Sequence, residues 1–367
     1  MDLRPYGIDH ILTKKTDFHK FNSTLLAPAR ITDSATFGKA IQFLSGQYGI
    51  IQKLGKGGYA STYETIGPDF KIYAVKILIF NSREFKKNVI NCIKECIINI
   101  ILMEKSKNEP NGPYVPAFYE IGFDTRLNCA FIRTERMINT LDYIIQSKNK
   151  IQNNTLLPEY ITQIATILQF FGTTLKFNHR DLKGDNIMYR MQRGKPEMKL
   201  IDFGFSCLEW KGLKIHGSLY FSELRTCFKK DRDLSQLLYS TVTHFTEYIS
   251  DELKARIREI LIANVGKLGV CDMLLGCNRV KEWKNTYNFL DKKNVFVEAG
   301  TPNIVMKEME RYSAGLPFEG VKCEEGKVKN AKTRRCKKIK VEKPCKEGKA
   351  RDPITRRCKK IRIVRDL

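Results

Sequence analysis

The sequence predicts an α+β protein with a small β-rich N-terminal lobe holding one helix, a larger helical C-terminal lobe, and basic repeats at the C-terminal end. Three observations lead there. Runs rich in β-branched and aromatic residues, "YGIIQKL", "KIYAVKILIF" and "NCAFIRTERM", occupy the first third of the chain, and between the last two lies one apolar stripe of helical period. Beyond residue 155 the helical period takes over, in "EYITQIATILQFF", "DLSQLLYSTVTHFTEYI" and "DELKARIREILIANV". At the end, "TRRCKKI" stands at 333 to 339 and again, letter for letter, at 355 to 361.

With 367 residues, 42% of them hydrophobic and 10% aromatic, the chain can bury a full core. The expected division is an N-terminal extension at 1–45, a main domain at 46–316 and a basic tail at 317–367. "MDLRPYGIDH" has no apolar region of the kind a secretory signal needs. The richest apolar run, "VINCIKECIINIILM", is cut by Lys94 and Glu95 and is shorter than the roughly 20 residues of a membrane span, so no span is expected. Of the 11 cysteines, those at 92, 96, 129, 207, 227, 271 and 277 sit in apolar contexts without metal-type spacing. They read as buried free thiols of a reducing compartment, the cytoplasm.

Residues 1–45 show no clear period. In the stripe at Val89, Ile93, Ile97, Ile100 and Ile101, apolar residues recur at i, i+4, i+8, i+11 and i+12, the signature of the one helix of the small lobe. "LGKGGYAS", from Leu54 to Ser61, lies between two strand-like segments. There Gly55, Gly57 and Gly58 allow backbone N–H groups to approach phosphate oxygens, although a Gly-rich hairpin turn reads the same way. "YAVK" then puts Lys76 on a strand. A lysine that contacts phosphates needs a carboxylate to hold its ammonium, and Glu95, flanked by apolar residues on the helix, suits this better than Glu84.

The most specific stretch is "NHRDLKGDN" at 178 to 186, followed by "DFG" at 202 to 204. With these motifs the chain resembles the protein kinase superfamily over roughly residues 48 to 315, and the resemblance implies the bilobal protein-kinase-like fold with ATP and Mg²⁺ as cofactors. It makes Asp181 the group that orients the acceptor hydroxyl and takes its proton, and Lys183 the cation that offsets charge on the phosphoryl oxygens. Asn186 and Asp202 become the Mg²⁺ ligands. Leu54, Gly55, Gly57, Gly58, Ala60, Thr62, Lys76 and Glu95 become the nucleotide-binding set. Lys183, two positions after Asp181, resembles the serine/threonine-specific members, whose substrates are protein Ser and Thr hydroxyls.

The pattern departs from the family in places. Ala60 replaces the third glycine of the loop, and Thr62 the following valine. "GSLYFSEL" at 217 to 224 resembles a shortened form of the family's peptide-docking segment, with Ser218 and Glu223 at its key positions and Arg279 as the partner of Glu223. Asp233, with Asp231 as the alternative, takes the place of the helix aspartate that ties down the catalytic loop. Arg180 is positioned to meet a phosphate on the activation segment, yet Ser206 is the only hydroxyl side chain between Gly204 and Gly217. Activity without prior phosphorylation of that segment is therefore expected. Two other readings use the same residues: a phosphotransferase for small alcohols, and an inactive kinase fold that works as a nucleic-acid-binding scaffold.

The net charge is +24, and residues 321–367 hold 19 Lys and Arg against 6 Asp and Glu. Cys323 to Cys336 and Cys345 to Cys358 share one spacing, and "EGK" recurs with them, so the tail holds two copies of a 22-residue unit. The cysteines lack the close pairs of zinc modules, leaving one disulfide per repeat or free thiols. The charge density favours nucleic acid or another polyanion as partner of residues 321–367. Such repeats beside a compact kinase domain also resemble proteins of large cytoplasmic DNA viruses, iridovirus-like ones especially, which implies the host cytoplasm or the virion as location.

Overall fold

The computed structural model describes residues 49–56, 60–67, 69–80, 85–124, 129–217, 228, 232–265 and 302–319, with four short strands of the tail. Gly57, Gly58, Glu84, Ser218, Glu223, Asp231, Arg279 and the extension 1–45 lie outside them. The chain divides into two compact units, Met1–Val321 and Lys322–Leu367.

The first unit has the expected α+β character. Strands β1 (Gly49–Lys56), β2 (Ala60–Ile66), β3 (Ile72–Ile79), β4 (Phe118–Asp124) and β5 (Cys129–Glu135) form one antiparallel sheet, in the order β1-β2-β3-β5-β4. Side chains alternate between its faces. Tyr63, Val75, Ile77 and Cys129 are buried together on one face. Register puts Thr62, Lys76 and Ile132 side by side on the other, with Glu64, Ala74 and Thr134 in the next row. Helix α1 (Phe85–Ser106) supplies the expected stripe through Ile93, Ile97, Ile100 and Ile101, and buries Ile98 and Leu102 as well. The helix is apolar on more than one side because it is covered on more than one side, by β4 and by the later strand Leu213–His216.

The C-terminal lobe contains α2 (Leu141–Gln146), α3 (Lys150–Leu175), α4 (Arg232–His244), α5 (Asp251–Val265) and α6 (Pro302–Ser313). Helix α3 begins well before its apolar period, because Asn149 and Gln152 make a reciprocal capping box. Helix α4 stops at His244 although the apolar pattern runs on; Phe245 and Ile249 stay buried in the turn that follows. This lobe also holds strands that the sequence reading did not separate from loops. β6 (Asn139–Thr140), β7 (Ile187–Gln192) and β8 (Lys195–Leu200) form a three-stranded sheet. β9 (Cys207–Trp210) and β10 (Leu213–His216) form a hairpin whose turn residues Lys211 and Gly212 both have positive φ, the requirement of a primed two-residue turn.

The core is continuous from α1 through α3 to α6. Cys92, Cys96 and Cys129 are buried and not disulfide-bonded, as expected. Cys207 differs: it is disulfide-bonded. Spacing along a sequence cannot reveal a partner that only the fold brings near. Among the described residues no helix is long and apolar enough to cross a membrane.

In the second unit, β11 (Lys327–Lys329) pairs with β12 (Cys336–Lys338), and β13 (Lys349–Arg351) pairs with β14 (Cys358–Lys360), both antiparallel.

Candidate active site

Two sets of groups meet in a cleft between the small sheet and the C-terminal lobe. The first comes from β3 and α1. Strand alternation turns Lys76 to the face shared with Ala74 and Thr62, and the apolar seating of α1 brings Glu95 opposite, with Lys76 Nζ 3.9 Å from Glu95 Oε2. Burial opposes the lysine's charge, but the carboxylates of Glu95 and Asp202 more than offset it and raise its pKa above the ordinary value. Lys76 therefore stays a cation.

The second set is the segment from Asn178 to Asn186. Asp233, near the start of α4, holds its backbone: Oδ2 accepts from His179 N at 2.6 Å and Oδ1 from Arg180 N at 2.8 Å, while the Asn178 amide donates to Oδ2 at 3.0 Å. His179 Nε2 donates to the Ile201 carbonyl at 2.7 Å, joining this segment to the one that contains Asp202. Phe203 stacks against His179 and Phe177, with ring centroids 5.6 and 6.3 Å apart, and so anchors Asp202 on the aromatic end of α3. Arg180 and Asp202 both have positive φ, at 69° and 62°. Non-glycine residues held in that region cost on the order of 1 kcal/mol or more each, and such costs gather at functional sites.

Within this frame Asn186 donates its amide to the Asp181 backbone carbonyl at 2.7 Å and to Asp181 Oδ2 at 3.0 Å. Lys183 Nζ lies 3.4 Å from the same Oδ2. Asp181 thus has one oxygen oriented by an amide and an ammonium. Below it, burial and then the carboxylate of Asp185 push the Asp142 carboxyl up to about 7. Gly184 makes that approach possible: a Cβ there would lie 1.6 Å from Asp142 Oδ1.

The cleft has a volume of about 340 Å³ and is lined by Leu54, Gly55, Thr62, Lys76, Glu95, Asn186 and Asp202, all named from the sequence. Ala60 opens β2 without lining it, and Asp181 and Lys183 sit beside it through Asn186. Ala74, Thr134, Met137 and Met188 line it too and were missed as binding residues. For Ala74 and Thr134 the missing signal is register, since they join Lys76 only through cross-strand alignment.

The donors suit a hard cation. With both amide hydrogen bonds of Asn186 going to Asp181, its carbonyl oxygen is left for the cleft, near one Asp202 carboxylate. Among the described residues no cluster of three or more His, Cys, Asp or Glu gathers that could hold a metal by itself. Few carboxylates, with the remaining ligands from phosphate and water, is how Mg²⁺ is bound beside a nucleotide.

Residues 48–221 match the family described as the protein kinase domain. The chain is 29% identical over 163 residues to Cysteine-rich receptor-like protein kinase 1 of Arabidopsis thaliana, covering 41% of this chain and 23% of that protein. It is 29% identical over 171 residues to Serine/threonine-protein kinase C of Synechocystis sp., covering 45% of this chain and 30% of that protein. It therefore spans under a third of the length of either relative.

Proposed function

We propose that this chain is an ATP-dependent serine/threonine protein kinase, a reading supported by the match of residues 48–221 to the protein kinase domain family. The observation that carries the proposal is the convergence of Lys76, Glu95, Asn186 and Asp202 on one cleft, with Asp181 and Lys183 at its side. Leu54, Ala74 and Met188 are the apolar walls for the base. Lys76, held by Glu95, contacts the phosphates of the nucleotide. Asn186 and Asp202 would hold Mg²⁺, which would supply positive charge to offset that of the nucleotide phosphates. Asp181 orients the acceptor hydroxyl and takes its proton, and Lys183 offsets the charge on the phosphoryl oxygens as the bond to the leaving oxygen breaks. The choice of Ser and Thr rests on Lys183, two residues beyond Asp181, and on the likeness to a serine/threonine kinase. A second activity is assigned to residues 321–367, whose 19 cations against 6 anions suit a polyanion.

Phosphotransfer from labelled ATP to Ser/Thr peptides, casein and small alcohols tests the first proposal. Peptide labelling is expected, and Asp181→Asn and Lys76→Met should each lower it at least about 100-fold with unfolding midpoints little changed. Near-normal turnover of Asp181→Asn would exclude the mechanism. Labelling of alcohols alone would assign the cleft to a small-molecule phosphotransferase.

A further inference from the structure

The two tail hairpins have one register, displaced by 22 residues. Lys327 faces Lys338, Val328 faces Lys337 and Lys329 faces Cys336; then Lys349 faces Lys360, Ala350 faces Lys359 and Arg351 faces Cys358. Opposed residues of an antiparallel pair share a face, as do alternate residues of a strand. One face of the first hairpin thus holds Lys327, Lys329 and Lys338 with Cys336, and the same face of the second holds Lys349, Arg351 and Lys360 with Cys358. The opposite faces hold one small apolar residue and one lysine each. In both units an Arg-Arg pair, Arg334–Arg335 and Arg356–Arg357, directly precedes the second strand.

What is absent from the sequence here narrows the partner. Residues 321–367 contain no Phe, Tyr, Trp or His. Single-stranded nucleic acid is gripped largely by stacking its bases on aromatic rings, so it loses its main source of affinity, and a protein partner loses its aromatic anchors. Within the paired strands Val328 and Ala350 offer too little apolar surface for the hairpin faces to enter a bilayer. The remaining chemistry is repeated cationic contact with a dense array of phosphates.

We propose that the two hairpins are equivalent grips on the sugar–phosphate backbone of duplex nucleic acid, each using its three-cation face and neither reading sequence. This deepens the polyanion reading of the tail and rests on it. Duplex DNA presents one charge per about 1.7 Å of axis, so two copies of one cationic unit can engage it at any register. Affinity then comes from counterion release.

The test is a salt titration of full-length protein binding to two unrelated DNA duplexes, the matching single strands, heparin, and phosphatidylserine vesicles. Both duplexes are expected to bind alike and more tightly than the single strands or vesicles. The slope of log K against log salt changes by about 0.9 per phosphate contact, so Lys327→Gln with Lys329→Gln and Lys338→Gln should lower it by about 2.7. Lys349→Gln with Arg351→Gln and Lys360→Gln should do the same, and all six together about twice as much. The charge-conserving Lys327→Arg, Lys329→Arg and Lys338→Arg protein should bind as the unaltered chain does, which separates loss of charge from loss of the hairpin. Preference for single strands or vesicles, or a slope change confined to one hairpin, overturns the duplex proposal and leaves the polyanion reading. No salt-sensitive binding to any of these probes overturns both.

Discussion

Gly184 shows how much of this site depends on a missing atom. Its own Cβ would meet the Asp142 side chain at 1.6 Å at Oδ1 and 2.7 Å at Cγ, and an aspartate is too short to swing clear without moving α2. Gly184→Ala should therefore displace the turn that sets Asn186 and Lys183 against Asp181, and a misplacement near 1 Å costs on the order of 100-fold in rate. Steady-state kinetics should show the loss mainly in kcat; unchanged turnover would mean that α2 yields instead. A second residue reports through pH. Lys199 has a fully buried side chain, 3.5 Å from Glu197, and donates to the Pro113 carbonyl. Burial, helped by Arg190, brings its pKa down to about 8 from an ordinary 10.5. The folded state therefore releases this proton before the unfolded state does, so the cost of burying the charge is full below pH 8 and disappears as pH rises toward 10.5. Relative to Lys199→Met, the unaltered protein should gain on the order of 2 kcal/mol of unfolding free energy between pH 7.5 and 10.5. Urea denaturation at the two pH values measures it, and a constant difference would show that Lys199 does not titrate in that window. Asp181, Lys183, Asn186 and Asp202 could be read from sequence because each lies in a short contiguous string whose chemistry constrains every position. Met188 and Met137 could not, because only lobe packing aims them at the cleft.

At the level of elements, α1 and the β9–β10 hairpin act together. Sequence alone found α1 and chose Glu95 over Glu84, which follows Lys76 by only eight residues; Lys76 and Glu95 stand 3.9 Å apart. The hairpin went unread although Lys211-Gly212 is a turn signal, since four-residue strands are too short to establish a period. Its position matters: β10 packs against α1, Ile215 is 1% exposed, and Gly217 closes the hairpin by donating its N–H to the Ser206 carbonyl at 2.8 Å. Ser206 is itself fully buried, with its hydroxyl donating to the His179 carbonyl at 3.1 Å, which leaves it inaccessible to a modifying enzyme. The hairpin thus packs against the helix that bears Glu95 with Ser206 unmodified. Ile215→Ala should cost about 2–5 kcal/mol of stability and lower kcat/KM several-fold well below the unfolding temperature, whereas Ile215→Val should do little. Reduced stability with unchanged kcat/KM would leave the hairpin a purely structural part.

For the whole molecule, the question is where the first compact unit stops needing chain. The segment after α6 is held closely: Arg256 donates to the Leu316 carbonyl at 2.6 Å, Arg311 to the Pro317 carbonyl at 2.9 Å, and Glu319 pairs with Lys307 at 2.8 Å. Phe318 packs against the core, and Arg256 lies 5.7 Å over its ring while pairing with Glu308 at 3.0 Å. Beyond Val321 the chain forms a separate compact unit. Two truncations should consequently behave differently. Ending the chain after Val321 should leave the unfolding midpoint within about 2 °C and peptide phosphorylation nearly intact, while the net charge falls from +24 to +11, because residues 322–367 hold the same 19 cations and 6 anions. Ending it after Ser313 removes the Leu316 carbonyl from Arg256, the Glu319 N–H from Glu308 and the Phe318 ring from the core, and losing hydrogen bonds to charged groups together with a packed ring costs about 3–5 kcal/mol, a fall of roughly 6 °C or more in a domain this large. Calorimetry on the two shortened proteins decides the matter: equal midpoints would mean that residues 314–319 only rest on α6, and a large fall in the longer one would mean that the basic repeats stabilise the first unit and do more than bind a partner.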